Sequence, residues 1–139
     1  MAFNFYTEDI DLPNIDFELI KSWLQDVIGN HMKSVGNITY VFCSDNYILN
    51  INKQFLNHDY YTDIISFNYS TQRLISGDLF VSLDTVKSNS ELFGSDFNIE
   101  LSRVIVHGVL HLLGWDDKTD EERIVMREKE NYWLSKLTK

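Results

Sequence analysis

The segment from Ile99 to Leu113 constrains this fold more than any other part of the chain. It reads Ile-Glu-Leu-Ser-Arg-Val-Ile-Val-His-Gly-Val-Leu-His-Leu-Leu. Apolar residues cover most of a helical circumference, so the segment predicts a helix buried on most sides and other elements layered around it. Its polar exceptions are ordered. Glu100, Arg103, His107 and His111 follow one another at three, four and four residues, which places them on one stripe. A polar group is costly to bury unless it finds a partner, so two histidines on such a stripe require a reason.

The spacing supplies one. Side chains at i and i+4 point the same way, about one turn apart, so both imidazoles reach a single metal ion. Gly114 suits a helix C-cap, after which Trp115-Asp116-Asp117 can swing back and offer a third ligand. The motif is His-x3-His-x2-Gly-x2-Asp, with Asp116 as the rival ligand to Asp117. Three protein ligands leave zinc an open position for water, the arrangement of a catalytic site. Zinc peptidases place a glutamate directly after the first histidine. Here that position is Gly108, which removes the base and is expected to open space above the metal.

The rest of the chain reads as α+β. Residues 3–7 form a candidate strand. Asp16 then caps a helix whose Phe17, Ile20, Trp23, Leu24, Val27 and Ile28 recur at helical spacing. Gly36-Asn37 reads as a turn, 38–43 as a strand, and Ser44 as the cap of a helix running through about Leu56. Ile64 to Tyr69 and Leu79 to Leu83 read as strands, with Gly77-Asp78 at the entrance of the second. The short Ser70–Ser76 connection predicts that they pair antiparallel. Asp84 caps a short helix ending near Gly94. From about Asn98 the chain is helical, with a break at Gly114. Thr119 and Glu122 have the spacing of a capping box, so the last helix starts at Thr119. The sum is one mixed sheet of about four strands packed by helices, with the metal site on a buried helix of the C-terminal half.

The 139 residues fit one domain, 1–139, because one proline and scattered glycines leave no linker. Cys43 is the single cysteine, so no internal disulfide forms, and its apolar run predicts a buried, inert thiol. No signal peptide or membrane span is visible, which makes the cytoplasm the expected compartment and excludes a membrane partner. The net charge of −9 argues against long-range attraction to nucleic acid. An RNA substrate would need a protein partner, or a site that grips few phosphates.

His107-Gly-Val-Leu-His-Leu-Leu-Gly-Trp-Asp-Asp117 resembles the signature of the YbeY family of bacterial ribosomal-RNA maturation factors, His-Gly-x-Leu-His-Leu-x-Gly-Tyr-Asp-His. The likeness extends over nearly the whole chain. Asn46 to Phe55 is similar to the family's helix, Thr62-Asp-Ile-Ile-Ser-Phe67 to its Thr-Asp-Val-Leu-Ser-Phe strand, and Gly77-Asp78-Leu-Phe-Val-Ser82 to Gly-Asp-Ile-x-Ile-Ser. Met126 and Glu130 match the spaced Met and Glu of the last helix. The resemblance implies a zinc-dependent single-strand endoribonuclease. It would act on 16S ribosomal RNA in maturation and quality control of the small subunit, with that subunit or an associated protein as partner. It also implies one zinc per chain on His107, His111 and Asp117, the last holding the family's third-ligand position.

Two departures stand out. The third ligand is usually histidine, and Asp117 adds a negative charge that should make the bound water less acidic and the site more hospitable to harder ions. The arginine commonly found before the Thr-Asp motif is Leu56 here, with Arg103 or Arg73 as substitutes. Besides His107 and His111, Asp116 is the expected catalytic group because it is the carboxylate nearest the metal motif in sequence. Asp63 and Asp78 match family motifs but also suit turn caps, and His31 and His58 read as surface residues. Two other functions compete: a zinc peptidase-like hydrolase, and a ribosome-assembly binding factor whose metal is structural.

Overall fold

The computed structural model describes residues 2–55 and 63–137. Their order is β1 (Ala2–Thr7), α1 (Phe17–Asn30), β2 (Ser34–Cys43), α2 (Asp45–Phe55), β3 (Ile64–Asn68), β4 (Leu74–Ser82), α3 (Leu83–Phe93), α4 (Phe97–Leu112) and α5 (Asp120–Leu137). The strands form one sheet in the order β1-β2-β4-β3. β1 and β2, and β2 and β4, pair parallel, while β3 runs antiparallel to β4. This is the expected mixed α+β sheet, with the expected antiparallel β3–β4 pair.

The sheet's two faces are covered unequally. On one, Trp23, Leu24, Val27 and Ile28 of α1 and Leu101, Ile105, Val109 and Leu110 of α4 share a core with Ile38, Tyr40 and Leu79. The Tyr40 hydroxyl, fully buried, donates to the Ile105 carbonyl at 2.7 Å and so links the sheet to α4. On the other, Ile48 and Ile51 of α2 cover a small cluster containing Cys43 and Ile65. Cys43 is buried as expected, and burial, reinforced by Asp9 and Asp45, pushes its thiol up to about 12.

Several boundaries differ from the sequence expectation. Gly36-Asn37 is no turn. Both residues lie inside β2, where the register shifts between Val35 and Ile38, and the chain reverses earlier, at Met32 with φ 62°. Pairing with strands on both sides extends β2 past its glycine. Gly77-Asp78 likewise lies within β4, paired to β2 and β3. Ser82, rather than Asp84, caps α3 by accepting from the Thr85 N–H; Asp84 accepts instead from the Asp45 N–H at 3.0 Å. Asp16 caps α1 and Ser44 caps α2 as expected.

Gly108 does not open space above a metal. It faces the sheet, and a Cβ there would stand 2.8 Å from Ile64 Cδ1 and 3.0 Å from Leu79 Cδ2. Its neighbour in the chain, His107, lies about 100° around the helix, on the face that carries the polar stripe. Gly108 therefore lets α4 sit close on β3 and β4.

Candidate metal centre

α4 starts at Asp96, whose side chain accepts from the N–H groups of Asn98 and Ile99. Its stripe then emerges along the edge of the core. Glu100 is buried, and the side chains of Arg103, His107 and His111 are 19%, 20% and 22% exposed. The helix ends at Leu113. Gly114, at φ 106°, reverses the chain, and the N–H groups of Gly114 and Trp115 donate to the His111 and Leu110 carbonyls. Only glycine occupies that φ without strain.

The reversed loop is anchored on both sides. The Trp115 indole N–H donates to His31 Nε2 at 3.1 Å, and Lys129 Nζ lies 3.8 Å from the centre of the Trp115 ring. His31 Nδ1 lies 2.7 Å from the Val27 carbonyl, to which it must donate. His31 is thus a half-buried link between α1 and the loop, where the sequence suggested a plain surface residue. Arg123 donates to the Asp117 and Lys118 carbonyls and pairs with Asp120. The expected capping box is present: the Glu122 N–H donates to Thr119 Oγ1 at 3.1 Å, and Glu122 Oε1 accepts from the Thr119 N–H at 3.0 Å. α5 begins directly after Thr119.

These restraints bring Asp117 back over α4. Its Oδ2 lies 3.2 Å from His107 Nε2 and 3.5 Å from His111 Nε2. The imidazole centroids are 4.5 Å apart. One donor atom from each of the three residues falls within 4.8 Å of the others, a group able to hold a metal ion. Asp116 is outside this group. It is exposed and lines a separate cleft with Glu121 and Glu122, although its charge reaches His111.

Glu130 completes the centre from α5. It is 5% exposed, and its Oε2 lies 2.6 Å from His107 Nδ1 while its Oε1 accepts from Arg103 Nη1 at 3.0 Å. The carboxylate fixes the tautomer, so Nε2 is the free nitrogen and points toward Asp117. Sequence reasoning matched Glu130 to the family but gave it no role. A signal was available: Met126, Glu130 and Trp133, all buried, recur at helical spacing on α5, so Glu130 is a charge in an otherwise apolar stripe.

Two histidines one turn apart titrate differently. At His107, burial lowers the pKa, but the hydrogen bond and charge of Glu130, helped by Asp117 and Asp63, outweigh it and the net shift is upward. At His111, burial and the charge of His107 depress it, partly offset by Asp117. Asp63 stands beside His107 in a second cleft shared with Arg103, Arg127 and Glu130. Burial raises its carboxyl above its ordinary value, against the pull of His107 and of the backbone N–H groups of Asp63 and Ile64. Asp63 thus accepts from the backbone at the start of β3 and has a place at the centre. Asp78 lies in β4 and accepts from the Tyr69 hydroxyl at 3.3 Å, and exposed Arg73 lies in the β3–β4 turn. Leu56 and His58 lie outside the described residues.

An α+β sheet carrying a His-His-Asp group on one buried helix and the loop after it defines a class of small metal-site proteins. The sequence profile described as Endoribonuclease YbeY matches residues 4–138, and the chain belongs to that family. A protein of Parabacteroides distasonis named Endoribonuclease YbeY is 51% identical over 99% of this chain and 96% of its own length. One of Bacteroides thetaiotaomicron with the same name is 48% identical over 97% and 98%. A solution structure of a Thermotoga maritima protein superposes with a TM-score of 0.67 at 24% identity, covering 98% of this chain and 89% of that one, which supports the fold. Among the described residues no helix is long and apolar enough to cross a membrane.

Proposed function

We propose that the chain is a zinc-dependent single-strand endoribonuclease of the cytoplasm, acting on 16S ribosomal RNA in maturation and quality control of the small subunit. The observation that carries this reading is the convergence of His107 Nε2, His111 Nε2 and Asp117 Oδ2, with Glu130 holding His107 in the required tautomer. Two imidazoles and one carboxylate are a donor set that zinc accepts, and the carboxylate–histidine pair behind it is the usual support of such a site. Membership of a family whose members are named endoribonucleases supplies the substrate class.

Zinc in this site would lower the pKa of a bound water and neutralise charge on the attacked phosphoryl oxygens. The chain's own residues do the remaining work. Glu130 accepts the Nδ1 proton of His107, so that Nε2 is the ring nitrogen turned toward the ion position. Two carboxylates are available to take the nucleophile's proton, Asp63 and Asp116. Asp63 is favoured, because it shares the His107 cleft and burial holds its carboxyl closer to the range a base needs near neutrality. The absence of glutamate at position 108 counts against peptidase chemistry.

The acidic chain attracts RNA poorly over distance, so useful cleavage depends on a small subunit or an associated protein to present the strand. The test is cleavage of single-stranded RNA by zinc-loaded protein, alone and with small ribosomal subunits, with His111→Ala exposing contaminating nuclease. Slow cleavage of naked RNA, accelerated by subunits and lost in the mutant, is expected. Fast cleavage of naked RNA would remove the need for a partner. No cleavage in either setting would favour a binding factor with a structural metal.

A further inference from the structure

We propose that Arg127 is the residue that grips the RNA backbone at the metal centre, taking a non-bridging oxygen of a phosphodiester next to the one cleaved. The inference rests on the nuclease reading above and adds a substrate-binding residue to it. Two clefts flank His107. One, of about 230 Å³, runs between His107, Asp117, Met126 and Glu130. The other, of about 170 Å³, runs past Asp63 and Glu100. Arg127 lines both, so its guanidinium stands where a strand crossing the centre would pass.

The other cations of these clefts are already committed. Arg103 donates to buried Glu130 at 3.0 Å with a side chain only 19% exposed. Arg123 is used by the Asp117 and Lys118 carbonyls and by Asp120, so moving it would release the loop that carries Asp117. Arg127 is held only loosely. Its Nη1 lies 3.9 Å from Glu130 Oε1, beyond hydrogen-bond distance, and that carboxylate already accepts two short bonds from His107 and Arg103. The side chain is 57% exposed. A planar donor fork with its hydrogens free suits a phosphate oxygen pair. The need for such a group is acute here, because Asp117, Glu130, Asp63 and Glu100 would otherwise present an incoming phosphate with carboxylates on every side.

The test compares zinc-loaded wild type with Arg127→Ala, Arg127→Lys and, as a control away from the centre, Arg73→Ala. The probe is a short fluorescent 2′-O-methyl single-stranded oligonucleotide, which resists cleavage. Arg127→Ala should weaken binding about tenfold, the scale of one charge-assisted contact, and flatten the dependence of log affinity on log salt by about 0.7. Its zinc affinity in chelator competition should equal that of wild type. Arg127→Lys should restore the salt dependence and only part of the affinity, and Arg73→Ala should change neither. Unchanged binding by Arg127→Ala in a wild type that does bind and cleave would overturn the assignment while leaving the nuclease reading intact. Loss of zinc by Arg127→Ala would also overturn it, because Arg127 would then act only through Glu130. A wild type that neither binds the oligonucleotide nor cleaves RNA with subunits present would overturn the nuclease reading and this proposal with it.

Discussion

Two clusters of polar side chains lie near the ends of β2 and β4, and they are built on opposite principles. Where β1, β2 and β4 end, Asp9, Asp45 and Asp84 gather. Asp9 accepts from the Ser44 N–H and hydroxyl, Asp45 from the Ser82 and Thr85 hydroxyls, and Asp84 from the Asp45 N–H. Each carboxylate is matched to donors at the starts of α2 and α3, so the cluster is closed and serves the scaffold. At α4 the outer atoms of His107, His111 and Asp117 converge on one another, while His107 is held from behind by Glu130, which Arg103 holds in turn, and the Asp117 backbone by Arg123. Acidic and polar residues alone therefore do not mark a site. What marks it is a set of donor atoms that converge on a common point, one of them, His107 Nε2, turned there by a partner on the far side of its ring.

Four substitutions would break or sharpen this contrast. The largest effect is expected at Asp63. Asp63→Asn should lower kcat by about a hundredfold or more if its carboxylate takes the proton, with zinc retained in elemental analysis. It should also stabilise the fold. The carboxyl is raised by burial above its unfolded value, so its stability is fully present in acid and lost as pH rises through the folded value. The stabilising difference between Asp63→Asn and wild type should therefore appear at neutral pH and vanish below about pH 4. Equal melting curves at neutral pH would place Asp63 in an ordinary solvated turn.

Next comes the support behind the metal. Glu130→Ala should weaken zinc about 10- to 100-fold in chelator competition. Asp45→Ala, the matched change in the closed cluster, should leave zinc affinity alone and cost about 1–2 kcal/mol of stability, because Ser82 and Thr85 lose their acceptor. If both variants changed zinc affinity alike, the two clusters would not differ in kind. The smallest effect is at the start of α5. Thr119→Ala should cost about 1 kcal/mol in denaturant unfolding by removing the cap on Glu122 N–H. A neutral result would mean that Arg123 and Asp120 alone hold this helix start.

The amino-acid sequence by itself determined what is local. Helical spacing placed α1 and α4. Asp16, Ser44 and Thr119 announced their helix starts, since a cap is a contact between residues two or three apart. The i, i+4 histidines and the following glycine announced the metal group. Tertiary structure decided whatever depends on partners far along the chain. Gly36-Asn37 read locally as a turn and Gly77-Asp78 as the entrance to a strand, yet both lie within strands because neighbouring strands extend the pairing. Gly108 read as space above the metal, yet faces Ile64 and Leu79, because only the packed sheet fixes which side of α4 is crowded. Asp116 and Asp117 were indistinguishable by type and adjacent in sequence. The φ of 106° at Gly114, the Trp115–His31 bond and the Arg123 clasp turn Asp117 toward the histidines and leave Asp116 in a different cleft. Glu130 gained its role in the same way. It lies 23 residues from His107 along the chain, and only the packing of α5 on α4 brings its carboxylate to the imidazole that it holds.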